Sequence, residues 1–305
     1  MGAAVQGLMT DALREKQAEK IGECAYRALL EEVYTTPKPG LVDLFSNGAH
    51  RDMGVCTFER SAEALRPWFV RMAAQGIFLR CGPEDLFLVV RKTGMEAERA
   101  MYRATGGVNT HKGLIFTLGI FCAAAGRCLR EKGGRITPEM LLEQQQVMTG
   151  RILREELERL KTTRERLPKY RTHGEHNLQR YGTTGVRGEA LAGYPSVLRL
   201  ALPVLRRGKE DGREWNRIKL QALLVLMSRT QDSNILSRTG LRELTRVQWE
   251  AHRFLAEGGA YREDALKRLE EMDGEYISRN VSAGGCADLL AASIFLFLLE
   301  NTELS

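Results

Sequence analysis

A short segment at residues 37–53 combines side chains that can bind phosphate, ligate a metal ion and transfer a proton. It reads P-K-P-G-L-V-D-L-F-S-N-G-A-H-R-D-M, and no amphipathic period accounts for it. Each of its two prolines fixes φ at about −65° and biases the preceding residue towards extended backbone, so Lys38 is held between two rigid positions. An ordinary polar loop has the same residue types, so this segment alone does not define a site. Its candidate functional residues are Lys38, Asp43, Asn47, His50 and Asp52.

Four further segments combine glycine with polar side chains next to an apolar stretch. They are residues 105–113 (T-G-G-V-N-T-H-K-G), 181–193 (Y-G-T-T-G-V-R-G-E-A-L-A-G), 232–240 (D-S-N-I-L-S-R-T-G) and 282–290 (S-A-G-G-C-A-D-L-L). Together with residues 37–53 we call them the five motif segments. Backbone N–H groups at the start of a helix favour anions, so their polar residues suit a phosphorylated ligand. The candidate residues are Asn109, His111, Lys112, Arg187, Glu189, Asp232, Asn234, Arg238, Gly284, Gly285 and Asp288.

The composition is that of a globular protein with a modest excess of positive charge. Of the 305 residues, 43% are hydrophobic, which is enough for a full core. The net charge of +6 suits an anionic partner such as a polyphosphate, a nucleic acid or a membrane surface. Acidic residues are interspersed with the basic ones and no aromatic residues alternate with them, which argues against a base-stacking surface for nucleic acid.

The cysteines and the apolar runs favour a cytoplasmic protein. Six cysteines occur without a C-x-x-C pair and mostly in apolar stretches, which is typical of reduced, buried thiols. The first residues lack the basic start and apolar centre of a signal peptide. The apolar runs at residues 114–125 and 289–299 are shorter than the roughly 20 residues that cross a bilayer. We therefore predict two core helices and no membrane association.

The spacing of apolar residues predicts an all-α fold. Helices are expected at residues 11–34, 57–75, 83–103, 114–130, 137–167 and 215–227, and beyond residues 181–193 and 282–290. Thr57 is expected to cap the second helix. No strand emerges, so the chain is predicted to form one globular domain, residues 1–305, of ten or so helices whose ends and loops line a central cleft. Residues 131–180 are predicted to be a charged helix and an exposed linker, in which His173 and His176 lack a third metal ligand.

The five motif segments resemble those of the triphosphoribosyl-dephospho-CoA synthases, the family that serves citrate lyase and malonate decarboxylase. The resembling pieces are P-K-P-G-L-V-D, G-A-H-R-D-M, G-V-N-T-H-K-G, Y-G-T-T-G-V-R-G-E-A, D-S-N-I-L-S-R-T-G and S-A-G-G-C-A-D-L-L, in the family's order and over most of the chain. The chain departs from the family at Ala283, where proline is usual. The family has serine or cysteine at the position of Cys286, so this residue is not expected to be a required nucleophile.

The resemblance implies a reaction between ATP and 3′-dephospho-CoA. The 2′-hydroxyl of dephospho-CoA attacks the anomeric carbon of ATP, adenine leaves, and the intact triphosphoribosyl group is transferred. Such a displacement needs carboxylates and a proton donor near the sugar, and Mg²⁺ with basic side chains on the phosphates. The product is the prosthetic-group precursor that a separate transferase attaches to an acyl carrier subunit.

For this reaction we assign roles within the candidate set. Asp43 or Asp52 is expected to act as the base, and His50 or His111 as the proton donor or adenine contact. The expected Mg²⁺ ligands are Asp52, Asp232 and Asp288. The expected nucleotide-binding residues are Lys38, Asn47, Asn109, Lys112, Arg187, Glu189, Asn234, Arg238, Gly284 and Gly285.

Two other functions fit part of the same pattern. A metal-dependent nucleotide or ADP-ribosyl hydrolase would use these carboxylates with water as the acceptor, and it would release adenine without dephospho-CoA. A helical nucleic-acid-binding protein would suit the pI near 9.0 and would bind with strong salt dependence. The sequence does not distinguish citrate lyase from malonate decarboxylase as the final recipient.

Overall fold

The computed structural model describes residues 2–162 and 180–304, and every regular element within these ranges is helical. The prediction of an all-α fold is therefore confirmed. The linker histidines His173 and His176 lie outside the described residues. The twelve α-helices of the described residues are α1 (Gly2–Val33), α2 (Val55–Phe78), α3 (Pro83–Ala104), α4 (Lys112–Lys132), α5 (Pro138–Thr162), α6 (Gly185–Leu191), α7 (Leu202–Glu210, after a π-helical turn at Val197–Ala201), α8 (Trp215–Arg229), α9 (Ser233–Thr239), α10 (Leu241–Ala256), α11 (Ala265–Ser278) and α12 (Gly284–Glu300).

Most helix boundaries follow the apolar pattern, and local chemistry explains them. α3 begins at Pro83, whose missing N–H is not needed in a first turn. The negative charge of Glu84 lies in the same turn, where it interacts favourably with the positive end of the helix dipole. The prediction that Thr57 caps α2 is wrong. α2 begins at Val55 after Gly54, and the Thr57 hydroxyl instead accepts a hydrogen bond from the Gly54 N–H at 3.3 Å.

Two motif segments that were predicted as loops contain short helices. Residues 232–240 form α9, because the Asp232 side chain accepts from two N–H groups of the first turn and so caps the helix. Within residues 181–193, α6 occupies Gly185–Leu191. Asp288 lies in the second turn of the last helix, because α12 begins at Gly284. Helix ends therefore carry more of the candidate residues than the sequence suggested.

α4 is the central helix of the apolar core. Most of its side chains between Leu114 and Leu129 are buried, as expected for a helix that is apolar on all sides. It is the one helix of the described residues that is long and apolar enough to span a membrane, but 78% of that apolar stretch is buried inside the protein. This burial matches the predicted core helix.

The backbones of α2 and α4 are in contact at two glycines. A Cβ on Gly76 would lie 2.1 Å from the Ala123 carbonyl oxygen, and a Cβ on Gly126 would lie 2.2 Å from the Ala73 carbonyl oxygen. Both distances are far below van der Waals contact, and the opposing atoms belong to rigid helix backbone. Only glycine therefore allows the two helices to approach this closely.

We expect Gly126→Ala to destabilise the protein by about 1–3 kcal/mol, because the new methyl group forces α2 and α4 apart. The gain in helix propensity, at most about 1 kcal/mol, offsets only part of this cost. The matched control is Gly150→Ala in α5, where a Cβ would meet nothing within 4 Å. This control should be neutral or slightly stabilising. Urea unfolding of both variants measures the difference, and equal midpoints would contradict the close packing of α2 and α4.

Candidate active site

Asp232 joins the N-termini of two helices. Its Oδ1 accepts hydrogen bonds from the N–H groups of Asn234 (2.8 Å) and Ile235 (3.0 Å) at the start of α9. Its Oδ2 accepts from the N–H of Cys286 (2.8 Å) in the first turn of α12. Burial raises the pKa of this carboxyl, and the three N–H donors oppose that rise. One side chain thus holds α9 against α12.

The two glycines that open α12 are required by this packing. A Cβ on Gly284 would lie 2.4 Å from the Asn234 side-chain nitrogen, and a Cβ on Gly285 would lie 2.9 Å from the Asp232 carboxylate. Both glycines are among the expected nucleotide-binding residues. The structure gives them a second role, which is to admit the α9 side chains.

Two buried lysines cap the C-terminal end of α1. Lys38 Nζ donates to the main-chain oxygen of Glu32 (2.8 Å) and forms an ion pair with the Glu32 carboxylate. Lys219 Nζ, from α8, donates to the main-chain oxygen (2.9 Å) and the carboxylate (2.8 Å) of Glu31. Carbonyl groups in a last turn lack intrahelical partners and form the negative end of the helix dipole, so both lysines are stabilised there. Lys38, expected to bind phosphate, is only 1% exposed and already has an anionic partner.

Residues 37–53 fold back on themselves around Asp43. Its Oδ2 accepts from the Lys38 N–H (2.8 Å), and its Oδ1 accepts from the N–H groups of Phe45 and Ser46 (both 2.9 Å). Aspartate commonly stabilises turns in this way. Because both oxygens are occupied, a role for Asp43 as base would require the turn to open.

Asp273 holds the same segment from α11, although the sequence analysis did not single it out. Its Oδ1 accepts from the Gly40 N–H (2.7 Å) and its Oδ2 from the Ser46 hydroxyl (2.7 Å). Asp273 lies in an ordinary charged helix outside the five motif segments, as Lys219 does. Neither residue carries a local sequence signal, because its role depends on a contact with a distant part of the chain.

His50 and Arg238 join residues 37–53 to the turn before α12. His50 Nε2 lies 2.9 Å from the Ser282 hydroxyl. Arg238 donates to the Ala49 carbonyl oxygen and to the main-chain (3.2 Å) and side-chain (2.6 Å) oxygens of Asn280. Burial and the Arg238 charge lower the pKa of His50, so this imidazole is neutral at pH 7.

His111 is buried where α2 packs beside the start of α4. Its Nδ1 lies 2.7 Å from the Ser61 hydroxyl, which in turn accepts from the Thr110 hydroxyl at 2.7 Å. Phe58 packs edge-on against the imidazole, with ring centroids 5.0 Å apart. Burial and the Lys38 charge lower the pKa of His111 to about 3. The ring is therefore neutral at physiological pH, which favours the adenine contact over the proton donor among its two predicted roles.

Asp288 lies where residues 105–113 and 282–290 meet. Its Oδ2 is so close to Gly113 that a Cβ there would lie 2.1 Å away. Burial, and then the negative charges of Glu32 and Asp232, raise the pKa of Asp288 well above its ordinary value. The side chain is partly accessible and has no hydrogen-bond or ion-pair partner among the described residues. Asp288 is thus inside the cluster and available to a substrate.

Other predicted residues lie at the margin of this cluster. Asp52 is exposed, and its charge acts on His50 and Arg238. Lys112 is also exposed and pairs with Glu98 at 2.5 Å. Asp52 was expected to share a metal ion with Asp232 and Asp288, but among the described residues these three do not form a group that could hold one.

The two asparagines and residues 181–193 complete the predicted set. Asn47 and Asn109 are exposed. Glu189 accepts from the Ser196 hydroxyl at 2.6 Å, and its charge also acts on the buried Cys286 thiol, which places this segment beside α12. Arg187 is partly exposed, and its charge acts on Glu156 in α5. Cys286 itself has a raised pKa because it is buried, in keeping with an unreactive thiol.

The expected magnesium ligands do not form a preassembled cage. Among the described residues, no three His, Cys, Asp or Glu side chains are grouped closely enough to hold a metal ion. Two surface depressions of about 740 and 350 Å³ lie along α1 and α2, and no residue of the five motif segments lines either. The candidate site is therefore defined by the convergence of side chains around Asp232 and Asp288.

The fold of the described residues is all-helical, and the candidate active site lies where several of its helix ends converge. The chain belongs to the CitG family, ATP:dephospho-CoA triphosphoribosyl transferase, whose model matches residues 18–305. The resemblance that was inferred from the five motif segments is therefore confirmed.

Curated relatives cover nearly the whole chain. The 2-(5''-triphosphoribosyl)-3'-dephosphocoenzyme-A synthase of Klebsiella pneumoniae is 42% identical over 280 residues, which are 92% of this chain and 90% of the relative. The protein of the same name from Pectobacterium atrosepticum is 40% identical over 299 residues, 97% of this chain and 95% of the relative. No solved structure matches the chain.

Proposed function

We propose that this protein transfers the triphosphoribosyl group of ATP to the 2′-hydroxyl of 3′-dephospho-CoA and releases adenine. The observation that carries the proposal is the meeting of the motif segments around Asp232 and Asp288. Relatives that carry the name of this synthase cover 92% and 97% of the chain. Neither the hydrolase nor the nucleic-acid-binding alternative has such support.

The chemistry is a displacement at the anomeric carbon of ATP. The bond between C1′ and adenine N9 breaks and its electron pair leaves with adenine, while the 2′-oxygen of dephospho-CoA bonds to C1′. The hydroxyl loses one proton and adenine gains one. The sugar carries positive charge in the transition state, so a carboxylate beside it lowers the barrier. We assign this role to Asp288, because it is the unpartnered carboxyl group inside the cluster. Positive charge on the sugar opposes its raised pKa and favours the ionised form as the transition state develops.

The cations of the site differ in how readily they can bind the triphosphate. Arg238 donates to neutral carbonyl oxygens, and the Lys112 ion pair with Glu98 is exposed, so both can exchange these partners for phosphate oxygens at little cost. Lys38 cannot do so without leaving the buried Glu32 unpaired. Arg238 and Lys112 are therefore the better phosphate ligands.

Mg²⁺ enters this proposal with the nucleotide. Asp232 and Asp288 are neighbours, but both oxygens of Asp232 accept backbone hydrogen bonds, and among the described residues they form no metal-holding group with Asp52. These residues do not fit a metal site held by protein alone. Mg²⁺ commonly takes most of its ligands from phosphate and water. Phosphate oxygens of ATP would therefore supply most of its ligands, and no step above depends on a protein-bound metal.

Mass spectrometry of a reaction with ATP, Mg²⁺ and dephospho-CoA tests the proposed function. We expect free adenine together with a dephospho-CoA adduct that carries the whole triphosphoribosyl group. A parallel reaction without dephospho-CoA is the control. Adenine release in that control would identify the hydrolase instead, since water would then be the acceptor.

The place of the product in the cell follows from its chemistry. A nucleotide that carries an intact triphosphate retains a good leaving group, so a second transferase can attach it to an acyl carrier subunit of citrate lyase or malonate decarboxylase. We place both steps in the cytoplasm, where ATP and dephospho-CoA are available. Genomic neighbours of the coding sequence would distinguish the two recipients.

A further inference from the structure

The hydrogen-bond chain from Thr110 to His111 fixes where the imidazole carries its hydrogen. Each hydroxyl has one hydrogen to give. The Thr110 hydroxyl donates to the Ser61 oxygen, so the hydrogen of Ser61 is free for its other neighbour, His111 Nδ1. Nδ1 then accepts, and the ring hydrogen lies on Nε2. The chain thus fixes the neutral tautomer that donates through Nε2.

This Nε2–H donor is buried and has no hydrogen-bond partner among the described residues. A buried donor without an acceptor costs folding free energy, so such groups are rare and call for an explanation. His111 is 1% exposed and lies in one of the five motif segments, and the Lys38 charge reaches it. A ligand that brings its own acceptor to Nε2 would remove the cost.

We infer that His111 Nε2–H donates a hydrogen bond to a ring nitrogen of the adenine of ATP, and that Ser61 and Thr110 are positioning residues that keep the hydrogen on Nε2. The inference rests on the proposed function, because it requires ATP in this site. Ser61 and Thr110 act through His111 and need not touch the substrate.

The charges around the site favour adenine over phosphate as the acceptor. The charge that acts on His111 is the Lys38 cation, and this cation is already paired with the Glu32 carboxylate. A neutral N–H in such surroundings binds an uncharged acceptor more readily than an anion. Phe58, which is partly exposed, packs edge-on against the imidazole and provides an aromatic surface that suits a base.

The same contact assists departure of the base. As the glycosidic bond breaks, its electron pair enters the adenine ring and makes the ring nitrogens stronger acceptors. A donor fixed in place by Ser61 then binds the leaving group more tightly than it binds ATP, which lowers the barrier. His111 transfers no proton in this step and only donates a hydrogen bond.

The test measures the dissociation constants of ATP, 1-deaza-ATP, 3-deaza-ATP and 7-deaza-ATP without dephospho-CoA, so that no transfer occurs. Each analogue replaces one ring nitrogen by C–H. We expect one analogue to bind the wild-type protein about tenfold or more weakly than ATP, because it leaves the Nε2–H unpaired. The readout is the ratio of the dissociation constant of the weakest-binding analogue to that of ATP. A change that merely loosens the fold would weaken both and leave this ratio unaltered.

Two matched pairs of variants test whether this ratio depends on His111 and on the hydrogen bond that Thr110 donates to Ser61. The glutamine amide of His111→Gln reaches the position of Nε2 and should keep the discrimination, whereas the asparagine amide of His111→Asn reaches only Nδ1 and should lose it. Thr110→Ser keeps the hydroxyl and should retain the ratio, whereas Thr110→Val should reduce it. Thr110 is partly exposed, so its pair carries the test if a His111 variant does not fold.

The results separate this inference from the proposed function. Equal binding of all four nucleotides by the wild type, or an unchanged ratio in both His111→Asn and Thr110→Val, overturns the adenine contact. If the wild type nevertheless forms the triphosphoribosyl adduct, only this inference fails. If no adduct forms, the proposed function fails as well.

Discussion

Asp288→Asn is expected to lower kcat by roughly 10²–10³-fold with ATP and dephospho-CoA. Asparagine keeps the shape of the side chain and removes the negative charge that we place beside the developing positive charge of the sugar. The KM values should change much less, because the contact matters most in the transition state. Adenine release and adduct formation, measured together, test both expectations.

The same variant is expected to be at least as stable as the wild type at neutral pH. The raised pKa of Asp288 means that the folded protein holds a proton there more tightly than the unfolded chain does. Ionisation of this group therefore costs stability as pH rises above the ordinary carboxyl range. Asparagine removes that cost, so the two proteins should be closest in stability near about pH 4 and diverge towards about pH 8. Urea unfolding across this range measures the difference.

Asp52→Asn and Asp232→Asn are the matched controls for Asp288→Asn. Asp52 is exposed, so its variant should retain most of the activity. In Asp232→Asn one carboxylate oxygen becomes an amide nitrogen that cannot accept from the Cys286 N–H, so the loss should appear mainly as reduced stability. Near-normal activity of Asp288→Asn, or a loss as large in Asp52→Asn, would remove Asp288 from the reaction.

Lys38→Met is expected to destabilise the protein by about 3–5 kcal/mol, because it leaves the Glu32 carboxylate buried without a counter-charge. The Glu32 main-chain oxygen at the end of α1 loses its donor in the same step. The double variant Glu32→Gln and Lys38→Met should recover much of this loss, since it removes both charges. Urea unfolding of the three proteins at one pH gives the comparison.

Lys112→Met is the control, because it removes a lysine whose ion pair is exposed, whereas the ion pair of Lys38 with Glu32 is buried. Its ion pair with Glu98 is exposed, and such pairs contribute at most about 1 kcal/mol. A similar loss of stability in Lys38→Met and Lys112→Met would show that the Lys38 ion pair is solvated in solution. It would also return Lys38 to the set of phosphate ligands.

Apolar periodicity predicted the long helices because their burial patterns are local. It failed at residues 232–240 and at Gly185–Leu191, which are too short to repeat an apolar face. The sequence nevertheless contains a signal for the start of α9, because Asp232 precedes a short apolar run and aspartate is a typical N-cap. The start of α2 was missed because Gly54 provides no side chain to signal a cap.

The residue types of the site were predictable, but their partners were not. Asp43 suggested a base by its type, yet its oxygens are engaged by N–H groups within its own turn. The link between Ser61 and His111 depends on how α2 packs against α4, and nothing near Ser61 in the sequence indicates it. Asp273 was missed for the same reason. The sequence therefore identified the candidate carboxylates. Only tertiary packing shows that Asp288, unlike Asp43 and Asp232, has no hydrogen-bond partner among the described residues.

The hydrogen bonds that complete the site join residues from distant parts of the polypeptide. Gly40 is bound to Asp273, 233 positions later, and His50 to Ser282, 232 positions later. During translation the early helices leave the ribosome well before α12 exists, so the candidate site can assemble only after α12 has been made. A chain truncated before α12 would therefore lack this candidate site, whatever the state of its early helices.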